Sequence, residues 1–156
     1  MTEASKWFSK AAAQGDAGAQ RQLGLMYLLG RGVSQNFEEA VRWITLAANQ
    51  GDTSAQSTLG DLHYEGKAVI QSNYEAAYWY KLASKSGHAP AQHSLGLMYL
   101  EGIGVQKDIK EAVEYFSLAA DKAYAWSQFE LAVAFDEGID GKKDQERALA
   151  LYMAAA

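Results

Sequence analysis

The chain has 156 residues, of which 49% are hydrophobic and 21% charged, a balance typical of a folded chain long enough to bury a core as one domain. The net charge of −5 and the pI near 5.2 come from acids and bases scattered along the sequence, without the basic run that a series of phosphates requires. Composition therefore argues against disorder and against a nucleic-acid partner.

Targeting and redox signals are absent from the sequence. No apolar run approaches the ~20 residues of a membrane-spanning helix, so we expect no membrane insertion. The first residues, MTEASKWFSKAAAQG, have the pattern of an amphipathic helix rather than of a signal peptide. Cysteine is also absent, which suits the cytoplasm and a bacterial periplasm equally well, so the compartment stays open.

One spacing of 36 residues recurs along the whole chain. It relates a glutamine row, a leucine row and a row of small residues, namely Gln20, Gln56, Gln92 and Gln128; Leu23, Leu59, Leu95 and Leu131; and Gly24, Gly60, Gly96 and Ala132. A fixed period of this length is the signature of a repeat architecture. We therefore divide the single domain into a half repeat at 1–16, complete repeats at 17–52, 53–88 and 89–124, and an incomplete last repeat at 125–156.

Each period predicts two helices, called A and B, because apolar and small residues recur at helical spacing in two stretches separated by glycine-bearing turns. In the first A stretch, Ala19, Leu23 and Tyr27 share one face. Gly24 lies where a neighbouring helix can approach closely, and Gly30 is the expected left-handed terminator.

Each B helix is expected to begin at a capping residue, one of Asn36, Ser72, Asp108 and Asp144. Glutamate follows three residues later in three repeats, as Glu39, Glu75 and Glu111, which completes the pattern of a capping box. Because Arg147 replaces the glutamate in the last repeat, we expect a weaker helix start there.

Bulky residues recur at two adjacent B-helix positions, Trp7, Trp43, Trp79 and Tyr115, followed by Phe8, Ile44, Tyr80 and Phe116. A cofactor box or a platform for stacking bases is one interpretation of such rows. Large side chains repeated at one helical position are more typical of a stacked core, in which neighbouring repeats bury each other's faces. We interpret both rows as packing.

The stretches AQRQLGLMYLLGRGV (Ala19 to Val33), AQHSLGLMYLEGIGV (Ala91 to Val105) and EEAVRWITLAANQG (Glu38 to Gly51) resemble Sel-1-like repeats, relatives of the tetratricopeptide repeats. The resemblance covers essentially the whole chain. The sequence departs from the repeat pattern in three places, namely GKAV at 66–69, GIDG at 138–141 and Ala132 in place of glycine. We expect these departures to displace two loops and one helix contact.

The resemblance implies an all-α fold, a right-handed α/α superhelical solenoid of 36-residue helix-turn-helix repeats, whose A helices line a concave face and whose members act as adaptors. Tetratricopeptide geometry then places three inward rows on that face, and glutamates in the last turn of the A helices form a further, acidic row. The rows are Arg21, Ser57, His93 and Phe129; Leu25, Asp61, Leu97 and Val133; Leu28, Tyr64, Leu100 and Asp136; and Glu65, Glu101 and Glu137. Because the three inward rows vary while the packing rows do not, we predict that they bind a protein or peptide partner. The glutamate row is either an acidic ridge of the same surface or a solvated helix end.

Catalytic and metal sites are not predicted. The motifs S-x-x-K, S-D-N, K-T-G and G-x-S-x-G are missing. His63 lies at an aromatic core position, His88 at a helix-capping position and His93 in an inward row. The five-residue spacing of His88 and His93 suits a metal poorly, so no metal or other cofactor is expected. The competing hypothesis is a cell-envelope enzyme or carbohydrate-binding module acting through acidic groove residues such as Asp61, Glu65, Glu101 and Asp136.

Both ends of the sequence fall inside a repeat. Residue 1 aligns with a position just after a B-helix cap, and Ala156 aligns with a position short of the closing glycine. From this register we hypothesise a fragment of a longer repeat protein, whose uncapped terminal helices allow end-to-end self-association.

Overall fold

The computed structural model describes residues 2–138 and 143–156, so Met1 and most of the predicted GIDG loop lie outside the described residues. The described residues form nine α-helices and no strand: α1 (Glu3–Ala13), α2 (Ala17–Leu29), α3 (Phe37–Asn49), α4 (Thr53–Glu65), α5 (Asn73–Lys85), α6 (Ala89–Glu101), α7 (Ile109–Ala120), α8 (Ala125–Glu137) and α9 (Gln145–Ala155). Even-numbered helices are the A helices and odd-numbered helices the B helices. The predicted all-α repeat fold is confirmed.

The helices form two compact units, Met1–Leu82 and Ala83–Ala156, and α5 runs through the boundary. In the first unit, Ile44 and Ala40 are fully buried in a cluster that also holds Leu28 and Leu59, and a smaller cluster surrounds Leu23. In the second unit, Phe116 and Leu131 belong to the core cluster. Each unit thus has a core made of A-helix and B-helix side chains.

The A helices carry glycine where a bulky B-helix side chain presses against the backbone, as predicted. A β-carbon at Gly60 would lie 2.5 Å from Tyr80 Cε1, and one at Gly96 would lie 2.6 Å from Phe116 Cε1. Where Ala132 replaces glycine, the corresponding ring, Tyr152, is only half-buried and packs edge-on against Phe129 with 5.7 Å between ring centroids.

The glutamine row ties each A helix to the B helix before it. Its side-chain Nε2 atoms donate to B-helix carbonyl oxygens eight residues earlier, at distances of 3.1 Å for Gln20, 3.1 Å for Gln56, 3.2 Å for Gln92 and 3.5 Å for Gln128. The four glutamines are buried. Each of these carbonyls lies near a helix end and also accepts the backbone N–H of the residue three positions later, so the glutamine provides its second hydrogen bond.

The predicted caps accept hydrogen bonds as expected, and the second half of the predicted capping box is wrong. The side chains of Asn36 and Asp144, for example, accept from backbone N–H groups three residues later at 3.1 and 3.0 Å. The capping residues' own N–H groups donate to carbonyls of the preceding A helices, those of Tyr27, His63, Tyr99 and Phe135. Because no glutamate takes part in that bond, the presence of Arg147 in place of glutamate gives no reason to expect a weaker start of the last B helix, α9.

Alanine adopts the left-handed backbone at two positions where other repeats have glycine. Ala68, at φ 64°, occupies the position of Gly32 and Gly104, and Ala123, at φ 57°, that of Gly51. Val69 packs against the core cluster of the first unit. The GKAV loop therefore keeps the backbone of its counterparts, and its expected displacement is not observed.

The packing interpretation is wrong for Trp7, which is 69% exposed. Trp43 packs on the cluster around Leu23, and Tyr115 stacks on Tyr99 with 5.6 Å between centroids. Side chains of this row thus pack on the A helix before them in the sequence. The exposed ring of Trp7 is covered by Lys10 of its own helix.

Replacing the left-handed alanines by glycine should stabilise the protein. Because the left-handed conformation is strained for a residue with a β-carbon, Ala68→Gly and Ala123→Gly should each raise the free energy of unfolding by up to about 1 kcal/mol in urea denaturation. Gly51→Ala is the reciprocal control, since its φ is 88° and an added β-carbon would meet nothing within 4 Å. Stabilisation by Gly51→Ala would contradict this account.

Filling the helix contact should destabilise the protein. Gly96→Ala places a methyl group against the Phe116 ring, so we expect a loss of about 2 kcal/mol in the free energy of unfolding. The control is Gly18→Ala, another substitution inside an A helix, where the nearest atom would be Asp16 Oδ1 at an ordinary 3.4 Å. Equal effects of the two substitutions would show that the close approach is unimportant.

Candidate functional site

The predicted partner-binding residues all lie on A helices, and two of them are buried. Leu28 is 6% exposed within the core cluster of the first unit, and Ser57 is 7% exposed. Both predictions are corrected, because neither side chain can reach a partner. In the same unit, Arg21 and Leu25 are half-buried, and the remaining predicted side chains are exposed, namely Asp61, Tyr64 and Glu65.

Arg21 and Asp61 have intramolecular partners in the first unit. The Nε atom of Arg21 lies 3.1 and 3.3 Å from the two carboxylate oxygens of Asp52, which also accepts the N–H of Ala55 at the start of α4. Asp61 accepts a hydrogen bond from the Tyr80 hydroxyl at 2.8 Å. These two predicted residues link one helix to another, so their substitution would change the fold as well as the surface.

His93 has a comparable role in the second unit. Its Nδ1 atom lies 3.0 Å from Ser127 Oγ, and its ring packs against Phe116 and Tyr124 with centroids 5.7 and 5.4 Å away. A serine beside a histidine is also the arrangement of an activated nucleophile. Ser127 is fully buried, however, so no substrate reaches its hydroxyl in this conformation. We interpret the pair as a link between α6 and α8.

The exposed surface of α6 and α8 combines apolar and acidic side chains. We call it the α6/α8 face and define it by Leu97, Leu100, Glu101, Trp126, Phe129, Glu130, Val133, Asp136 and Glu137. On α8, Trp126 is 69% exposed, Phe129, Asp136 and Glu137 are exposed, and Val133 is half-buried. On α6, Leu97 and Leu100 also pack partly on the core, and Glu101 is exposed. The predicted residues of this unit other than His93, whose side chain is held by Ser127, are thus exposed or partly exposed on these two helices.

Trp126 and Glu130 are members of this face that the sequence analysis missed. They precede Val133 by seven and three residues, so continuing the helical face of Val133 and Glu137 towards the start of α8 would have found both. Burial raises the pKa of Glu130, and the nearby Glu101 carboxylate raises it further. Two carboxylates from different helices thus act on each other across the face.

A second exposed apolar surface was also missed. Ile70 and Tyr74 are 90% and 73% exposed, and Tyr78, half-exposed on the same side of α5, meets Trp79 edge-on at 5.2 Å. Other repeats have polar residues at the first two of these positions, for example Ser34 and Glu38. Comparing the outward positions of the repeats with one another would have identified this surface.

The structure offers neither a metal site nor a membrane span within residues 2–138 and 143–156. No three histidine, aspartate or glutamate side chains of this part gather closely enough to hold a metal ion. None of its helices is long and apolar enough to cross a bilayer.

The half-buried His93 should make stability depend on pH. Burial lowers its pKa below the ordinary 6.5, so the unfolded chain binds the proton more readily than the folded one. The stability contributed by the neutral His93 ring is fully present above pH 6.5 and is lost progressively as the pH falls from 6.5 towards the lower pKa of the folded protein. We expect the melting temperature of the native protein to fall between pH 7.5 and 5.5 and that of His93→Gln to fall less. An equal decline in both proteins would contradict the assignment.

Comparison with known proteins gives a consistent result. A Sel1 repeat family model matches residues 1–16, 17–52, 53–88, 89–124 and 127–156. A Sel1 repeat protein from Oxalobacter formigenes is similar to this chain at 38% identity with a TM-score of 0.91, over 97% of this chain and 62% of that one. No curated protein matches the chain.

Other solved structures are similar over different extents. The protein c5321, a protective antigen of uropathogenic Escherichia coli with an SLR fold, is 30% identical with a TM-score of 0.51, over 97% of this chain and 40% of that one. Helicobacter pylori cysteine rich protein B is 24% identical with a TM-score of 0.58, over 74% of this chain and 83% of that one. At this identity the similarity supports a shared fold and nothing further. The chain spans less than two thirds of the first two structures. With family-model matches along nearly its whole length, the chain belongs to the Sel1 repeat family.

Proposed function

We propose that this chain binds a protein or peptide segment through the exposed side chains of its A helices, above all through the α6/α8 face. Sel1 repeat proteins are generally scaffolds for protein interactions. The proposal is supported by the contrast between buried packing rows and the exposed Trp126 and Phe129, which lie beside the half-buried Val133. Exposed aromatic residues beside apolar ones are typical of the few positions that contribute most to a protein interface.

The first unit offers a smaller surface of the same kind. Its half-buried Leu25 and exposed Tyr64 and Glu65 remain candidates, whereas Leu28 and Ser57 do not. Arg21 and Asp61 contribute less to the proposal, because their side chains are held by Asp52 and Tyr80. None of the comparisons supports the alternative of an envelope enzyme or a carbohydrate-binding module.

Selection from a random peptide library displayed on phage tests the proposal. Peptides selected on the purified native chain should lose at least tenfold in affinity, about 1.4 kcal/mol, on Trp126→Ala, because truncation removes an exposed aromatic anchor. The matched control is Tyr74→Ala, which truncates a similarly exposed aromatic residue on α5. Melting temperatures of both variants should remain near that of the native chain.

Two results would contradict the proposal. Selected peptides that bind Trp126→Ala normally and fail on Tyr74→Ala would move the site to α5. A parallel titration with soluble peptidoglycan fragments would support the carbohydrate alternative if the fragments bound and no peptide was selected.

A further inference from the structure

We propose that the segment bound by the α6/α8 face is cationic, with lysine or arginine side chains next to apolar ones. This inference rests on the function proposed above and adds the chemistry of the partner. It is carried by the placement of charge in the second unit and by an exposed tryptophan among the carboxylates.

Acidic charge in the second unit is concentrated on the A helices. Helices α6 and α8 carry Glu101, Glu130, Asp136 and Glu137 and no lysine or arginine. The B helices α7 and α9 are nearly balanced, with Lys110 and Arg147 against three glutamates. Among the described residues of this unit, Arg147 forms an ion pair with Asp144. None of the four carboxylates takes part in that ion pair. The face therefore presents negative charge that its own helices do not neutralise.

Two of these carboxylates, on different helices, lie near enough for their charges to interact. Glu101 ends α6, and its charge disfavours ionisation of the half-buried Glu130 on α8. Like charges held near each other are destabilised, and a cation placed between them relieves that repulsion. A guanidinium or ammonium group brought by a partner satisfies both carboxylates at once.

Trp126 provides an observation independent of the acids. Two other tryptophans of this chain are covered by a cation, since Lys10 lies 5.5 Å from the Trp7 ring centroid and Arg42 lies 4.9 Å from that of Trp43. No cation of the described residues lies over Trp126, which is 69% exposed. Because Trp126 and Glu130 are four residues apart on one helix, they form neighbouring aromatic and acidic contacts for a basic side chain.

The apolar members of the face distinguish a peptide from a small cation. Leu97 and Val133 are half-buried and lie in the same register on α6 and α8, which gives aliphatic side chains a place to pack between the charged positions. The carboxylates are too dispersed within the described residues to form a metal site. Apolar anchors with complementary charge around them are the usual composition of a specific peptide interface.

Three synthetic peptides of equal length and identical leucine positions test the inference, with lysine, glutamine or glutamate at all other positions. Fluorescence anisotropy with the full chain should show at least tenfold tighter binding of the lysine peptide than of the glutamine peptide, and the weakest binding for the glutamate peptide. The advantage of lysine should shrink as salt rises from 20 to ~300 mM, because salt screens exposed charges.

A pair of charge-matched variants locates the effect. Glu101→Gln with Glu130→Gln should weaken binding of the lysine peptide about tenfold. Glu114→Gln with Glu146→Gln removes the same charge from α7 and α9 and should change the affinity less than twofold. Equal losses in the two double variants would overturn the inference, because they would reflect net charge rather than this face.

The remaining outcomes separate this inference from the proposed function. If the glutamine peptide binds as tightly as the lysine peptide and Trp126→Ala weakens both, the face binds peptides and the cationic preference is wrong. If the library yields only acidic peptides that depend on Trp126, the preference is also wrong while the proposed function stands. If no peptide of either experiment binds, both proposals fail.

Discussion

The close approach of each A helix to the following B helix is the contact on which the rest of the structure depends. At Gly24, Gly60 and Gly96 the backbone of the A helix has no side chain, and Ile44, Tyr80 and Phe116 pack into that space. The buried glutamines then tie each A helix to the helix before it through a carbonyl oxygen. Together these contacts set the spacing and the rotation of the helices and thereby decide which A-helix positions face outward.

Outward positions of the A helices serve two purposes that the repeat pattern does not distinguish. Arg21 and His93 share one register, and both join consecutive A-helix regions, through Asp52 and through Ser127. At the same register Phe129 is exposed and packs edge-on against Tyr152. A row that varies among repeats is therefore no proof of a binding surface, because variable residues also make the specific contacts between neighbouring helices.

The distribution of charge connects the scaffold with its proposed partner. B helices carry charges of both signs, some of which pair locally, as Arg42 does with Glu39. The α6/α8 face has carboxylates and exposed aromatic residues instead. On such a face the charged side chains orient a bound partner and the apolar side chains contribute most of the affinity, as expected at a specific interface.

The amino-acid sequence was sufficient for the fold and for much of its local structure. The period, the alternation of helices, the caps at Asn36 and Asp144 and the left-handed ends at glycines such as Gly30 were predicted, because each depends on residues a few positions apart or on a repeated spacing. Predictions failed where a local motif had two possible partners. The N–H groups of the B-helix caps bond to A-helix carbonyls rather than to glutamates.

Site residues depended more on the tertiary structure. The repeat register assigned Leu97, Glu101, Val133 and Glu137 to the partner-binding side of the A helices, because helical periodicity determines which residues share a face. Only the packed structure showed that Leu28 and Ser57 are buried and that Glu130 lies near Glu101. Burial and charge coupling depend on distances between residues that are far apart along the chain, and a helical pattern read along the sequence contains no such distances.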